Sequence, residues 1–255
     1  MVDVEVYGKM LSTLPEDDDH PYRSGAWRPQ HVEYDADDLD VQGELPDDLY
    51  GVYLRNTENP LHPAIARYHP FDGDGMIHKV SFRDGRASYR NRFVRTDGLR
   101  AEQEAGRSLW AGLAERPDHA IRTDGWGARG RMKDAASTDV VVHAGVAVAS
   151  FYQCGDLYRL DPLTLSDLGK ATWGGKFPRD AGVSAHTKVD DHTGELLFLI
   201  TERSRLTCTT ESSTRTTGWS ITCRSSCPVR DCRTTWPTPS TTPSSTTCRC
   251  SGRPS

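Results

Sequence analysis

Long apolar runs are missing from this chain. No stretch approaches the roughly 18 consecutive apolar residues of a bilayer span, and the opening MVDVEVYGKMLSTLPEDDDHPY has neither the basic start nor the apolar middle of a secretory leader. A soluble, cytoplasmic protein is the expectation. Positive charge is not in excess either: 31 Lys and Arg against 36 Asp and Glu give a net charge of -5. With no Lys/Arg cluster along one face, phosphate backbones have little to hold, so nucleic acid is not an expected partner. Apolar side chains amount to only 36% and the mean hydropathy is -0.63, low for a length that can bury a sizeable core. Cysteine is almost absent before residue 200, where Cys154 stands alone, whereas Cys208, Cys223, Cys227, Cys232, Cys248 and Cys250 crowd the end. Histidine shows the reverse, with none after His192. Two compositions share one chain.

From Val41 to Ile200 the pattern is that of β structure, in short β-rich runs separated by turn residues. YGVYLRN, GMIHKVSF, RASYRNRFVR, DVVVH, VAVASFY and ELLFLI are the candidate strands. Asp84-Gly85 is a tight hairpin signal, and His143-Ala144-Gly145 and Asp191-His192-Thr193-Gly194 are looser ones. In GMIHKVSF, Met76, His78, Val80 and Phe82 alternate with Ile77, Lys79 and Ser81, as in a strand buried on one face. A short helix is predicted over about Glu102 to Leu113. Repeated hairpins with long connections suit a barrel, a sandwich or a propeller, and periodicity does not choose among them.

After about Thr201 serine, threonine, arginine, cysteine and proline dominate. Such a segment has little apolar surface to offset the entropy of ordering, so disorder is predicted for 201–255. A zinc or disulfide knot is the competing reading. The spacings Cys223-x3-Cys227-x4-Cys232 and Cys248-x-Cys250 fit no regular paired zinc pattern, and no histidine follows to complete one.

Five segments, in order, resemble the carotenoid cleavage oxygenase family, which includes the lignostilbene dioxygenases and the retinal pigment epithelial membrane protein. They are LPDDLYGVYLRNTENP from Leu45, YHPFDGDGMIHKVSFRDGRASYRNRFVRT from Tyr68, KDAASTDVVVHAG from Lys133, YRLDPLTLSDLG from Tyr158 and GVSAHTKVDDHTGELLFL from Gly182. The resemblance implies an all-β chain: the first blades of a seven-bladed β-propeller over 41–200, after an N-terminal extension over 1–40. It also implies one Fe(2+) on the propeller axis, held by four histidines from different blades. By the family's Ala-His-x-Lys pattern, His186 is the first of these. Neutral imidazole suits ferrous iron, and open coordination positions leave room for O2 beside an alkene. The implied reaction splits a conjugated double bond into two carbonyl products, with O2 and a hydrophobic alkene as partners and a peripheral membrane contact as a route for substrate.

The remaining histidines take plainer roles. His78 alternates with apolar residues and reads as a hydrogen-bonded core histidine; Asp72, Gly73, Asp74 and Gly75 read as a tight turn stabilising the first blade. Two departures from the family bear on substrate and metal. Where lignostilbene enzymes hold a phenol with tyrosine and lysine, this chain offers Phe93 and Lys133, which tilts the reading toward apocarotenoids. Where the family places a glutamate that orients a ligand histidine, nine residues before the proline of Asp161-Pro162, this chain has Gln153, an amide that accepts a hydrogen bond but brings no charge.

The family resemblance stops at about Ile200, and three more ligand histidines belong to later blades. One explanation is a tail read in a shifted frame: codon choices for residues 232–250 permit the family's His-Asp-Met hallmark, and those for Leu206 to Ser213 permit another family-like run. On the chain as written, a catalytically inactive fragment or a β-rich binding module is the alternative to an oxygenase.

Overall fold

The computed structural model describes residues 2–123, 132–152, 155–172, 181–202, 205–213 and 219–226, with side chains as far as Phe198. Three antiparallel sheets carry the fold. The first contains β1 (Glu5–Lys9), β2 (Val32–Ala36), β3 (Gly51–Asn59), β4 (Asp74–Arg83) and β5 (Arg86–Phe93), in the order β1-β2-β5-β4-β3. The two strands at one edge, β1 and β2, therefore come from the first 40 residues, so the predicted extension is part of the first sheet. Asp84 and Gly85 join β4 to β5 with φ of 51° and 69°, the left-handed pair that a two-residue hairpin of the right twist requires.

One face was predicted to be buried in β4, but its first half is buried on both. Met76 packs with Leu61, Phe93 and Leu99, while Ile77 packs with Val94, Ala136, Ala147 and Ala149. The reason is that β4 lies between two neighbours. On one side is α1 (Asp97–Ala105); on the other is the second sheet, β6 (Asp139–His143), β7 (Val146–Ser150), β8 (Tyr158–Leu160) and β9 (Asp167–Lys170), paired in that order. At the junction Gly75 donates its N–H to Ala135 O at 2.9 Å. A Cβ on Gly75 would lie 2.4 Å from Ala136 O, so only glycine permits this approach.

The helix starts earlier than the predicted Glu102. Thr96 caps it, its Oγ1 accepting from Leu99 N at 2.9 Å, which satisfies an N–H that the first turn leaves open. Gly106 ends it in the left-handed conformation, φ 66°, short of the predicted Leu113.

The third sheet contains β10 (Ala181–Val183), β11 (Lys188–Asp190), β12 (Glu195–Glu202), β13 (Arg205–Ser213) and β14 (Trp219–Ser226), in the order β10-β12-β13-β14. Strands β10 and β11 both pair with β12, at Ile200–Glu202 and at Glu195–Leu197. They are two halves of one edge strand, broken over 184–187. Disorder was predicted from Thr201 onward, yet β13 and β14 fall there. Strand β12 offers an open row of N–H and C=O groups, and a threonine-rich segment suits the extended backbone that pairs with it. The edge strands β3, β6 and β11 of the three sheets are neighbours.

Candidate functional site

Two places gather the residues that sequence reading singled out. The first is where β3, β6 and the broken edge β10/β11 adjoin. His186 occupies the break, with φ 65°, and its side chain is 67% exposed. A non-glycine residue held in the left-handed region is strained, and such strain concentrates at functional positions. Its Nδ1 lies 3.7 Å from Asp139 Oδ2 at the start of β6. Asp139 is itself anchored: its Oδ1 accepts from Val140 N at 2.9 Å. Asn56 of β3 ties the neighbouring backbone, donating to Ala136 O at 2.8 Å and to Asp139 O at 3.2 Å. All three sheets thus contribute to the surroundings of one imidazole. Among the described residues no group of three or more His, Cys, Asp or Glu side chains could hold a metal ion, so they do not by themselves form an iron site. Gln153 lies outside the described residues.

The second place is a cleft between the first sheet, α1 and the segment after it. Lys133 lies at its base, its Nζ donating to Asp74 Oδ2 at 2.7 Å and to Glu102 Oε2 at 2.5 Å. All three side chains are buried, with exposures of 13%, 3% and 5%. Burial, helped by the neighbouring Glu102 charge, pushes the Asp74 carboxyl up to about 6, against the pull of Lys133. Burial also works against the Lys133 ammonium, but the two carboxylates outweigh it and hold the amine above the usual lysine range. The cluster sets one ammonium against two carboxyl groups. Asp74 was read as part of a turn; it is instead one jaw of this clamp. Asp72, of the same motif, accepts from His69 N at 2.9 Å and from Leu113 N at 2.7 Å, tying the loop after α1 to the sheet.

Trp110, Phe71, Phe151 and Tyr68 wall the cleft. Phe93 does not reach it: it is 1% exposed and packs in the core with Leu61, Met76 and Leu99. The structure therefore brings Lys133, and not Phe93, to the cleft. Sequence reading missed Glu102 and Trp110, for neither carries a local signal. Glu102 lies 31 residues from Lys133 along the chain.

His78 is half-buried between two hydroxyls, with Thr57 Oγ1 2.8 Å from Nε2 and Tyr89 Oη 2.7 Å from Nδ1. Burial pulls it down to about 4, helped by the Arg55 charge, so it is neutral, as expected of a structural histidine.

The strand order, the break holding His186 and the Lys133 cluster can be set beside known proteins. The family description "retinal pigment epithelial membrane protein" matches residues 27–241, more than half of the chain. The chain belongs to this family of carotenoid oxygenases. The match continues past Ile200, where the sequence reading has the resemblance stop, so that expectation is corrected. Lignostilbene-α,β-dioxygenase isozyme III of Sphingomonas paucimobilis is 36% identical over 172 residues, covering 67% of this chain and 34% of that protein. A carotenoid cleavage oxygenase of Mycobacterium tuberculosis is 35% identical over 189 residues, covering 73% of this chain and 34% of that one. Among solved structures, Pseudomonas brassicacearum lignostilbene dioxygenase superimposes with a TM-score of 0.66 at 28% identity, covering 79% of this chain and 42% of that one. This carotenoid oxygenase chain spans about a third of the length of the curated relatives it matches.

Proposed function

We propose that this chain is part of an oxygenase that uses O2 to cleave a conjugated C=C bond of a carotenoid, apocarotenoid or stilbene-like alkene, one oxygen atom going to each of two carbonyl products. The observation that carries the reading is His186, exposed in a strained break of an edge strand where three sheets adjoin, at the family's Ala-His-x-Lys position. A seven-bladed propeller and Fe(2+) as the metal belong to the same proposal, with His186 as one ligand nitrogen. Among the described residues no group of three or more possible ligands gathers there, and the chain's own contribution is to orient that imidazole, through the Asp139 carboxylate and the bend at residues 184–187. Lys133 presents a donor to the polar end of a substrate, and the aromatic walls of the cleft take its apolar part. Gln153 is proposed as an uncharged partner of a ligand histidine. A cytoplasmic location and a peripheral membrane contact complete the reading; no helix among the described residues is long and apolar enough to cross a membrane.

The test is product formation. The full-length protein of which this chain is part, supplied with Fe(2+), O2 and a panel of stilbene and apocarotenoid substrates, should yield two aldehydes per alkene consumed, and His186→Ala should abolish them; the chain by itself should hold no stoichiometric iron. Turnover unimpaired by His186→Ala would sink the assignment. A second reading, an inactive fragment or β-rich binding module, is favoured by the lack of a metal-holding group among the described residues. It predicts no stoichiometric iron and no aldehyde while folded protein still binds apolar ligands.

A further inference from the structure

We infer that residues 10–14 form a pH-sensitive strap: Gln103 and His62 latch Leu11 and Thr13 to the body of the protein while His62 is neutral, and a second proton on its ring releases them. The inference goes beyond the oxygenase reading and does not depend on it.

Met10 anchors the segment where β1 ends. Its N–H donates to His31 O at 2.8 Å, and its side chain packs against the cluster of Leu61, Met76, Phe93 and Leu99. The next residues are held largely by side chains. Gln103 of α1 binds both backbone groups of Leu11, its Oε1 accepting from Leu11 N at 2.7 Å and its Nε2 donating to Leu11 O at 2.8 Å. Thr13 N donates to Leu61 O at 2.9 Å, and Thr13 Oγ1 lies 2.9 Å from Nδ1 of His62. Leu11 and Thr13 are exposed, so these bonds can open without taking the core with them.

The orientation of the Gln103 amide fixes the charge state of the ring. Reversing that amide would set donor against donor and acceptor against acceptor at Leu11, so its NH2 end is the one beside His62, with Nε2 3.5 Å from the ring Nε2. An NH2 group only donates, so this ring nitrogen has to offer its lone pair, and the single ring proton sits on Nδ1 and is donated to Thr13 Oγ1. A second proton goes to Nε2 and turns the contact into N–H against N–H.

The charged groups nearby are engaged elsewhere. Glu102, next to Gln103 on α1, accepts from Lys133 Nζ and Leu109 N, and Asp74 of β4 accepts from Lys133. Asp72 accepts from His69 N and Leu113 N, and Glu115 from Arg67 N and Gly112 N. Burial lowers the His62 value from the ordinary 6.5, opposed by the Glu102 charge and assisted by that of Lys133. The latched ring thus binds a proton less well than the released one. The latch is fully present above pH 6.5 and weakens as pH falls below it. His62 lines the cleft, so release frees part of a cleft wall from the strap.

Hydrogen exchange of the full-length protein tests this, read by mass spectrometry of peptides covering residues 10–14 and corrected for the intrinsic pH dependence of exchange. Between about pH 7.5 and about pH 5.5, opening of the strap should rise about tenfold, the ratio expected when the released ring titrates normally and the latched ring stays neutral. His62→Gln, which takes up no proton, should remove the rise. Gln103→Glu should reverse it, because a carboxylate accepts from the protonated ring and repels the lone pair of the neutral one. A wild-type strap equally open at both pH values overturns the proposal. So does a rise that persists in His62→Gln, which places the titrating group elsewhere. Should His62→Gln fail to fold, Gln103→Glu decides, and an unreversed rise overturns the switch.

Discussion

The Lys133 clamp and the His186 break differ in how much of each is present within neighbouring elements. Lys133, Asp74 and Glu102 come from the segment beside α1, the first sheet and the helix, and Lys133 pairs with both carboxyl groups in a buried space. His186 is exposed, and its nearest charged neighbour, Asp139, stands 3.7 Å away on another sheet. A site formed within one sheet and its flanking helix closes locally, whereas a site on the line where sheets meet gathers one contribution from each. The first governs stability; the second has little stability to lose.

The sharpest way to break that contrast is Lys133→Met. It strands two buried carboxylates, and removal of one partner from a buried ion cluster costs about 3–5 kcal/mol. Thermal unfolding should fall by roughly 10 °C, and adding Asp74→Asn with Glu102→Gln should recover most of the loss. An unchanged melting temperature for Lys133→Met would mean the clamp is not closed in solution. Next in size is Gly75→Ala, which places a Cβ 2.4 Å from Ala136 O. Forced overpacking of this kind costs about 1–3 kcal/mol, measurable as a lower urea midpoint. A neutral result would show that the seam between the first two sheets is looser than its hydrogen bonds indicate.

A smaller effect concerns pH. His78 has its folded value depressed to about 4, below the ordinary 6.5, so the folded state binds the proton less well than the unfolded chain. Stability conferred by neutral His78 is therefore present above pH 6.5 and lost as pH falls toward 4. Between pH 7 and 5 the loss should be about 1–2 kcal/mol once partial exposure is allowed for. Asp74, raised to about 6, works in the opposite direction, since its protonation relieves a buried charge. The clean readout is the difference in pH slope between wild type and His78→Gln, with the variant losing less on acidification. Equal slopes would remove His78 as the source.

How far the sequence foretold this arrangement depends on the range of each signal. Asp84-Gly85 and the alternation around it announce a hairpin because turn chemistry and pleat are local, and the structure has it. The family pattern around Ala185-His186-Thr187-Lys188 marks a position, and that position proves to be the break in an edge strand. Thr96 was a legible helix cap that was passed over, so the predicted helix began too late. Lys133 was singled out, but its partners were not: Asp74 is 59 residues away in sequence and Glu102 is 31, and no periodicity encodes such pairings. The burial of β4 on both faces was hidden for the same reason, because Ile77 is covered by the second sheet and the alternation of β4 cannot report it. Composition misled over 201–226, where open edge pairing on β12 gives polar residues a strand to join.

The smallest predicted effect bears most directly on His186. Its side chain is 67% exposed, so His186→Ala should change folding stability by no more than about 0.5 kcal/mol, in contrast to Lys133→Met. The backbone should tell more than the side chain. At φ 65° alanine retains the left-handed strain of roughly 1–2 kcal/mol, whereas glycine relieves it at a cost of about 0.5–1 kcal/mol in unfolded-state entropy. His186→Gly should therefore be more stable than His186→Ala by about 0.5–1 kcal/mol in denaturant unfolding. Greater stability of the glycine variant would show that the bend at residue 186 is strained, the observation on which the proposed ligand role draws. If His186→Gly instead proves less stable than His186→Ala, the bend is not strained, and that argument for the ligand role falls.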